Sequence, residues 1–206
     1  MTTGVSPTRL CVFARAPVLG GVKRRLATEL GDAVALAAHI QLTEDTLGRL
    51  AAAPGLETEL WLAGEPDAQV RGWLDAWPLP LRRQAGADLG QRMANALASC
   101  HADGVHGVVV GSDCPPIDAA YVRQAAEALG EADVVLGPAS DGGYGLVGTG
   151  LPRPEIFKDI PWGTDAVLQV TLERIGEAAL SVRLLAPIWD VDTASDWNRY
   201  LRYRRG

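Results

Sequence analysis

The chain has little cysteine, little histidine and no long hydrophobic run, and each shortage removes a class of protein. Its three cysteines, Cys11, Cys100 and Cys114, are odd in number and contain no Cys-x-x-Cys spacing, so neither a disulfide framework nor a structural zinc site organises the fold. They are expected to be reduced thiols. Its three histidines, His39, His101 and His106, share no motif spacing, and no serine lies in a nucleophile elbow, which removes a Ser-His-Asp hydrolase. His39 is expected to be an ordinary helix residue. No apolar stretch approaches the roughly 20 residues that span a bilayer, and the small, polar start of the chain lacks the apolar core of a signal peptide. A cytoplasmic protein without membrane insertion is the expectation. Basic charge is short too: 19 Lys and Arg stand against 25 Asp and Glu, a net charge of −6, where nucleic-acid binding needs a basic surface. Any anionic ligand other than nucleic acid must be met by a local basic feature.

What is present is the apolar content of one folded unit. With 206 residues, 48% of them hydrophobic, the chain can bury a core without covalent staples. Residues 1–8 read as a disordered leader and residues 9–206 as a single domain. Short apolar runs at Leu10–Ala14, Thr58–Leu62, Leu81–Gln84, Gly107–Gly111, Ala132–Pro138 and Val182–Leu185 predict strands. Apolar spacing near 3.6 predicts helices from Asp32 to Ala53, Pro66 to Trp77, Asp88 to His101, Asp118 to Leu129, Thr164 to Gly176 and Ala194 to Tyr203, with Asp118 as a cap. Strands alternating with helices over short connections give an α/β fold, a doubly wound and largely parallel sheet with a mixed edge. The rhythm breaks at Ser140 to Thr149, which reads as a Gly-rich hairpin, and at residues 152–163, which are irregular. Functional apparatus is expected there.

Four features carry chemistry. Gly107-Val108-Val109-Val110-Gly111-Ser112-Asp113-Cys114-Pro115-Pro116 is a buried strand that stops at an acid, and ligands of open α/β sheets gather at the carboxyl ends of strands. Asp113 is therefore a site candidate, although an Asp before Pro-Pro can equally begin a turn. In Asp190-Val191-Asp192-Thr193, Asp192 either joins Asp113 around Mg2+ or Mn2+, with water and ligand phosphate completing the shell, or caps the helix after it, as Thr193 also could. The loop from Arg15 through Gly20, Lys23 and Arg24 to Arg25 precedes a helix start, a natural seat for phosphate; it is neither a Walker loop nor a Gly-x-Gly-x-x-Gly turn. The turn Asp141-Gly142-Gly143-Tyr144 lets backbone lie against a ligand while Asp141 takes a proton or sugar hydroxyls, though a plain hairpin explains the glycines as well. A weaker signal pairs Gln84 with the helix start at Gly90 and Arg92, suited to a base edge or phosphate but shared by ordinary capped helices. Trp162 and Thr164, at the irregular segment, are candidate substrate contacts.

Phe13-Ala14-Arg15-Ala16-Pro17 with Gly20, Lys23 and Arg25-Leu26, then Gly111-Ser112-Asp113-Cys114-Pro115, Gly137-Pro138 with Asp141-Gly142-Gly143-Tyr144, and Asp190-Val191-Asp192-Thr193 with Asp196 together resemble the DUF2064 family over nearly the whole chain. That family is similar to the phospholactate guanylyltransferases, is often labelled an arsenosugar-biosynthesis glycosyltransferase, and belongs to the nucleotide-diphospho-sugar transferase superfamily. The resemblance implies a three-layer α/β/α GT-A type (Rossmann-like) fold with a mixed, mostly parallel sheet, and a transferase activity. It implies Asp113 and Asp192 as metal ligands and Arg15, Lys23 and Arg25 on nucleotide phosphates. Two reactions share the scaffold: glycosyl transfer from a nucleotide sugar, which the family label favours, and nucleotidyl transfer from a nucleoside triphosphate to a phosphorylated molecule, which the basic loop favours. A nucleotide-binding regulator without turnover is a third reading. Catalysis in either reaction is positioning and charge neutralisation, with Asp141 as base where a hydroxyl is the acceptor. The small-molecule acceptor, the base, the sugar and the oligomeric state stay open.

Overall fold

Runs of β-branched and other apolar residues form the middle of the molecule as β1 (Thr8–Arg15), β2 (Leu56–Ala63), β3 (Leu81–Arg83), β4 (His106–Gly111), β5 (Val134–Pro138), β6 (Tyr144–Thr149) and β7 (Val182–Leu184). The computed structural model describes residues 7–205. The expected leader therefore falls mostly outside the described residues, and its last member, Thr8, already pairs in β1 opposite Leu56 and His106. Around the strands lie α1 (Arg24–Leu30), α2 (Asp32–Leu50), α3 (Ala68–Ala76), α4 (Leu89–Ala102), α5 (Ala119–Ala128), α6 (Val167–Glu177) and α7 (Ala194–Tyr203).

All seven strands join one sheet in the order β3-β2-β1-β4-β6-β5-β7. Because side chains alternate along a strand, Leu10, Val12, Val108 and Val110 meet α2, α3 and α5 through Leu47, Leu50, Trp73 and Val122 on one face. Cys11, Phe13 and Val109 meet Met93 and Leu97 of α4 and Ile175 of α6 on the other, together with the short 3-10 helix Pro154–Phe157. Both faces are covered, which is why the strands read as continuous apolar runs rather than alternating ones.

The sheet is mixed, and its reversed strand is interior rather than at an edge. β6 runs antiparallel to both β4 and β5, whereas the other pairs are parallel. The tight turn after β5 returns the chain at once, and Leu146 and Val147 of β6 are each about 1% exposed on opposite faces, an arrangement open to an interior strand. The true edges, β3 and β7, are three exposed residues each, too short to template pairing with another chain. β2 and β3 extend the sheet to one side of β1 and β4 begins the other, so the order reverses between β1 and β4 and a crevice opens at their carboxyl ends.

Element ends moved where side chains intervene. α6 begins at Val167 rather than Thr164, because the Thr164 hydroxyl donates to the Pro161 carbonyl (2.9 Å) and accepts from the Ala166 N–H (3.3 Å), holding a turn. Among the described residues no helix is long and apolar enough to cross a membrane. Asp118 accepts the Tyr121 N–H at 2.8 Å, an N-cap for α5. Asp118→Ala is expected to lower the unfolding free energy by about 1 kcal/mol, read as a shift of the urea midpoint at unchanged slope.

Candidate active site at the ends of β1 and β4

Asp113 is held from three sides. A Cβ on Gly111 would come 2.9 Å from its Oδ1, so the glycine ending β4 lets the carboxylate fold back over the strand end. From α2, Thr43 Oγ1 donates to the Ser112 hydroxyl (3.3 Å) and Thr46 Oγ1 to the Ser112 carbonyl (3.2 Å). From the C-terminal segment, the Val191 N–H donates to the Asp113 carbonyl (3.1 Å). The same α2 face fixes the exit of β1, where His39 Nε2 donates to the Arg15 carbonyl (2.9 Å). Thr43 and Thr46 escaped the sequence reading; their signal is a polar stripe, with His39, at helical spacing on the buried side of α2.

Lys23 joins the loop to both acidic clusters. It sits at the start of α1 in a left-handed conformation (φ 46°), and its side chain is 6% exposed. Its Nζ lies 2.6 Å from Asp113 Oδ2 and 3.2 Å from Asp192 Oδ1. Burial alone would push the ammonium down, but the two carboxylates outweigh it and raise its pKa. Burial pushes the Asp113 carboxyl up and the Lys23 charge and hydrogen bond more than reverse it, leaving it below the usual carboxylate range. Arg25, exposed, reaches Asp192 Oδ2 and the Gly163 carbonyl, both at 3.5 Å. The capping alternative for Asp192 falls to its neighbour: Thr193 caps α7 in a reciprocal capping box with Asp196, leaving the Asp192 carboxylate to Lys23 and Arg25.

Beside this cluster lies a cavity of about 530 Å3. Of the candidates, Arg25, Asp113, Asp141, Gly143, Tyr144, Trp162, Thr164 and Asp192 line it. So do Asp190, part of the acidic cluster around Asp192, and Asp165, which the sequence left without a role. The Asp190 carboxyl is pushed up to about 7, first by burial and then by the like charges of Asp113, Asp141 and Asp192. Asp141 Oδ1 accepts the Gly143 N–H at 2.9 Å, closing the turn between β5 and β6.

Other candidates stand elsewhere. Lys23 lies beneath the acids rather than on the cavity wall, the Arg15 side chain is exposed at the end of β1, and Gly20 (φ +72°) shapes an exposed turn beside Asp32. Gln84 is drawn away from a base-reading role by two bonds from Nε2, to the carbonyls of Ala14 (3.1 Å) and Trp61 (2.9 Å), which tie strand ends together. Gly90 is a packing residue: a Cβ there would come 2.7 Å from the Trp162 ring and 3.0 Å from Phe157. Arg92 donates from Nε to the Gly86 carbonyl (3.2 Å), away from the cavity. Gly142 (φ +88°) is needed because a side chain would overlap the Asp165 backbone. Tyr144 offers the cavity its ring and not its hydroxyl, which is buried toward Thr171 and raised in pKa by that burial; the ring meets Trp162 edge-on at 6.3 Å.

A three-layer α/β/α architecture whose sheet order reverses between β1 and β4, with acids at the strand ends and a basic loop before the first helix, is the fold of the nucleotide-diphospho-sugar transferases. The chain belongs to the family described as "Uncharacterized protein conserved in bacteria (DUF2064)", whose model matches residues 46–164. A crystal structure from Desulfovibrio desulfuricans G20, provisionally described as a nucleotide-diphospho-sugar transferase, is 32% identical at a TM-score of 0.86, covering 98% of this chain and 89% of that one. A nucleotidyl transferase from Methanothermobacter (TM-score 0.65, 16% identity, 97% and 99% covered) shares the fold. So does a 4-diphosphocytidyl-2C-methyl-D-erythritol synthase from Anaerococcus prevotii DSM 20548 (0.65, 10%, 98% and 100%). No curated protein matches.

Removing a buried ammonium strands two carboxylates. Lys23→Met is expected to cost about 2–3 kcal/mol, below the figure for a wholly buried pair because both acids are about a third exposed. Adding Asp113→Asn should return part of that loss; a strictly additive double variant in urea unfolding would mean that the pair is not coupled.

Proposed function

We propose that the protein is a transferase that binds a nucleotide sugar with its phosphates on the α1 loop and passes the sugar to a hydroxyl of a small molecule in the cavity. The observation that carries this reading is the convergence at the sheet's switch point of Arg25, Asp113 and Asp192, bridged by the buried Lys23, beside a cavity large enough for a sugar and part of an acceptor. In the reaction the acceptor oxygen bonds to the anomeric carbon as the bond from that carbon to the phosphate oxygen breaks. The nucleoside diphosphate leaves, and the hydroxyl proton passes to a cavity carboxylate. Asp141 suits that last role, since its Oδ2 is not engaged among the described residues. Arg25 and Lys23 meet the negative charge that grows on the departing diphosphate. The likeness to a 32%-identical relative described as a nucleotide-diphospho-sugar transferase supports the donor class.

The residues also fit a divalent cation. Asp113 and Asp192 already share one cation, the Lys23 ammonium, and no third His, Cys, Asp or Glu closes a cage among the described residues. Such a pair suits Mg2+ or Mn2+, which keep waters and take phosphate oxygens. When bound, the ion neutralises diphosphate charge and orients the leaving group. The second reading, nucleotidyl transfer, is favoured by the four cations Arg15, Lys23, Arg24 and Arg25 within one short loop, enough for a triphosphate.

A thermal-shift panel of nucleotide sugars and nucleoside triphosphates with and without Mg2+ or Mn2+ separates these, because a ligand that binds the folded state raises the melting temperature. Stabilisation by nucleotide sugars, with metal-dependent release of nucleoside diphosphate, supports glycosyl transfer; stabilisation by triphosphates with pyrophosphate release supports the second reading, and binding without turnover leaves a regulator. Arg25→Ala should weaken a nucleoside diphosphate by about tenfold or more and leave the nucleoside unaffected. Gly143→Ala tests the close approach of backbone to ligand. A Cβ here would crowd Asp141 Oδ1 at 3.3 Å, a contact that a shift of a few tenths of an ångström in that carboxylate relieves, and the backbone is not left-handed, so the variant should melt nearly normally and turn over slowly.

A further inference from the structure

The cavity is acidic and apolar at once. Five of the described residues that line it are aspartates, Asp113, Asp141, Asp165, Asp190 and Asp192, and Arg25 is the one basic residue among them. The compensation is one-sided. Lys23 and Arg25 pair with Asp113 and Asp192, whereas Asp141, Asp165 and Asp190 form no salt bridge among the described residues. A divalent ion on Asp113 and Asp192 would add its charge at the end of the cavity that already holds cations. Asp141 and Asp165 thus stand on the cavity wall with no cation paired to them among the described residues. The rest of the lining includes hydrocarbon and aromatic side chains, among them Leu89, Met93, Val167, Tyr144 and Trp162. Leu89 is 45% exposed at the start of α4, an apolar side chain facing water where a ligand would cover it.

We propose that the acceptor is a hydroxyl-bearing molecule with an apolar portion and no phosphate or carboxylate, and that the cavity rejects phosphorylated acceptors by like charge. The inference rests on the transferase reading for the word acceptor, while its charge argument concerns the cavity alone. An anionic group placed against uncompensated carboxylates in a partly enclosed space is strongly disfavoured. A neutral polyol instead finds two acceptors for its hydroxyl hydrogens in Asp141 and Asp165, and its apolar part covers Leu89 and Trp162. This also bears on the reaction, since transfer of a nucleotidyl group to a phosphorylated molecule would bring the repelled group into the same space.

The test is ligand-observed NMR titration of the full chain with Mg2+ present, using phenyl β-D-glucopyranoside and its 6-phosphate as matched probes. The uncharged glycoside is expected to bind at least about tenfold more tightly, and the Asp141→Asn/Asp165→Asn double variant should shrink the gap to about threefold or less. Asp165→Asn alone should shrink it part of the way, which serves if the double variant melts early. Equal or tighter binding of the phosphate, a gap unchanged in both variants, or binding of neither probe would overturn the proposal. Melting curves with UDP-glucose and GTP on the same samples keep the two readings apart. A chain that is stabilised by nucleotide but prefers the phosphate ester retains the transferase reading and loses this one, and a chain indifferent to nucleotide that prefers the glycoside does the reverse.

Discussion

One ammonium group in contact with two carboxylates ties the site together. Lys23, Asp113 and Asp192 come from the loop after β1, the end of β4 and the segment before α7, and they meet within 3.2 Å. A buried ion pair adds little net stability, because removing charges from water offsets most of their attraction. Its effect is therefore geometric. It holds a Pro- and Gly-rich loop with little regular structure of its own against the strand end, and it does so through a backbone conformation, φ 46° at Lys23, that a non-glycine residue adopts under constraint. The polar stripe of α2 acts on the same point from beneath, through Thr43 and Thr46 on Ser112 and His39 on Arg15. The sheet positions the strand ends, and these few polar contacts turn strand ends into a site.

Much of this was legible in the sequence because its cause is local. An apolar run that ends in Gly-Ser-Asp-Cys-Pro-Pro marks a strand stopping at a crevice and points to Asp113, and the acidic cluster Asp190-Val191-Asp192 points to Asp192. The Asp141-Gly142-Gly143-Tyr144 turn was legible for the same reason. What escaped depends on which elements come together. The place of β6 between β4 and β5 follows from the burial of both its faces, which a short Gly-rich run does not announce. Gln84 and Gly90 carried the right residue types for ligand binding, but strand ends at Ala14 and Trp61 and the Trp162 ring claim them. Asp190 lay in plain view within an acidic motif, and its elevated pKa arises first from burial and then from Asp113 and Asp141, more than 45 positions away in sequence.

The distribution of charge separates two tasks within one opening. Lys23 and Arg25 pair with Asp113 and Asp192, and the cavity's other acids, Asp141, Asp165 and Asp190, share its lining with apolar side chains and have no paired cation among the described residues. A bound molecule would thus be sorted along its length, anionic end toward α1 and neutral end toward α4 and α6. Orientation of this kind is set before any contact forms, because the field across such a cleft acts at longer range than hydrogen bonds.

The two sides of the cavity also differ in how firmly they are fastened. Tyr144 begins β6, which is hydrogen-bonded to a neighbour on each side, and in the turn before it the Gly142 carbonyl accepts the Leu168 N–H of α6 at 2.9 Å. Trp162, Gly163 and Thr164 facing them lie outside every strand and helix, held by short turn bonds such as that from Thr164 Oγ1 to the Pro161 carbonyl. The opening thus has one side set in the sheet and the other on a loop packed against α4, so changes of sequence at residues 158–165 could reshape what the cavity accepts while the sheet keeps the acids in register.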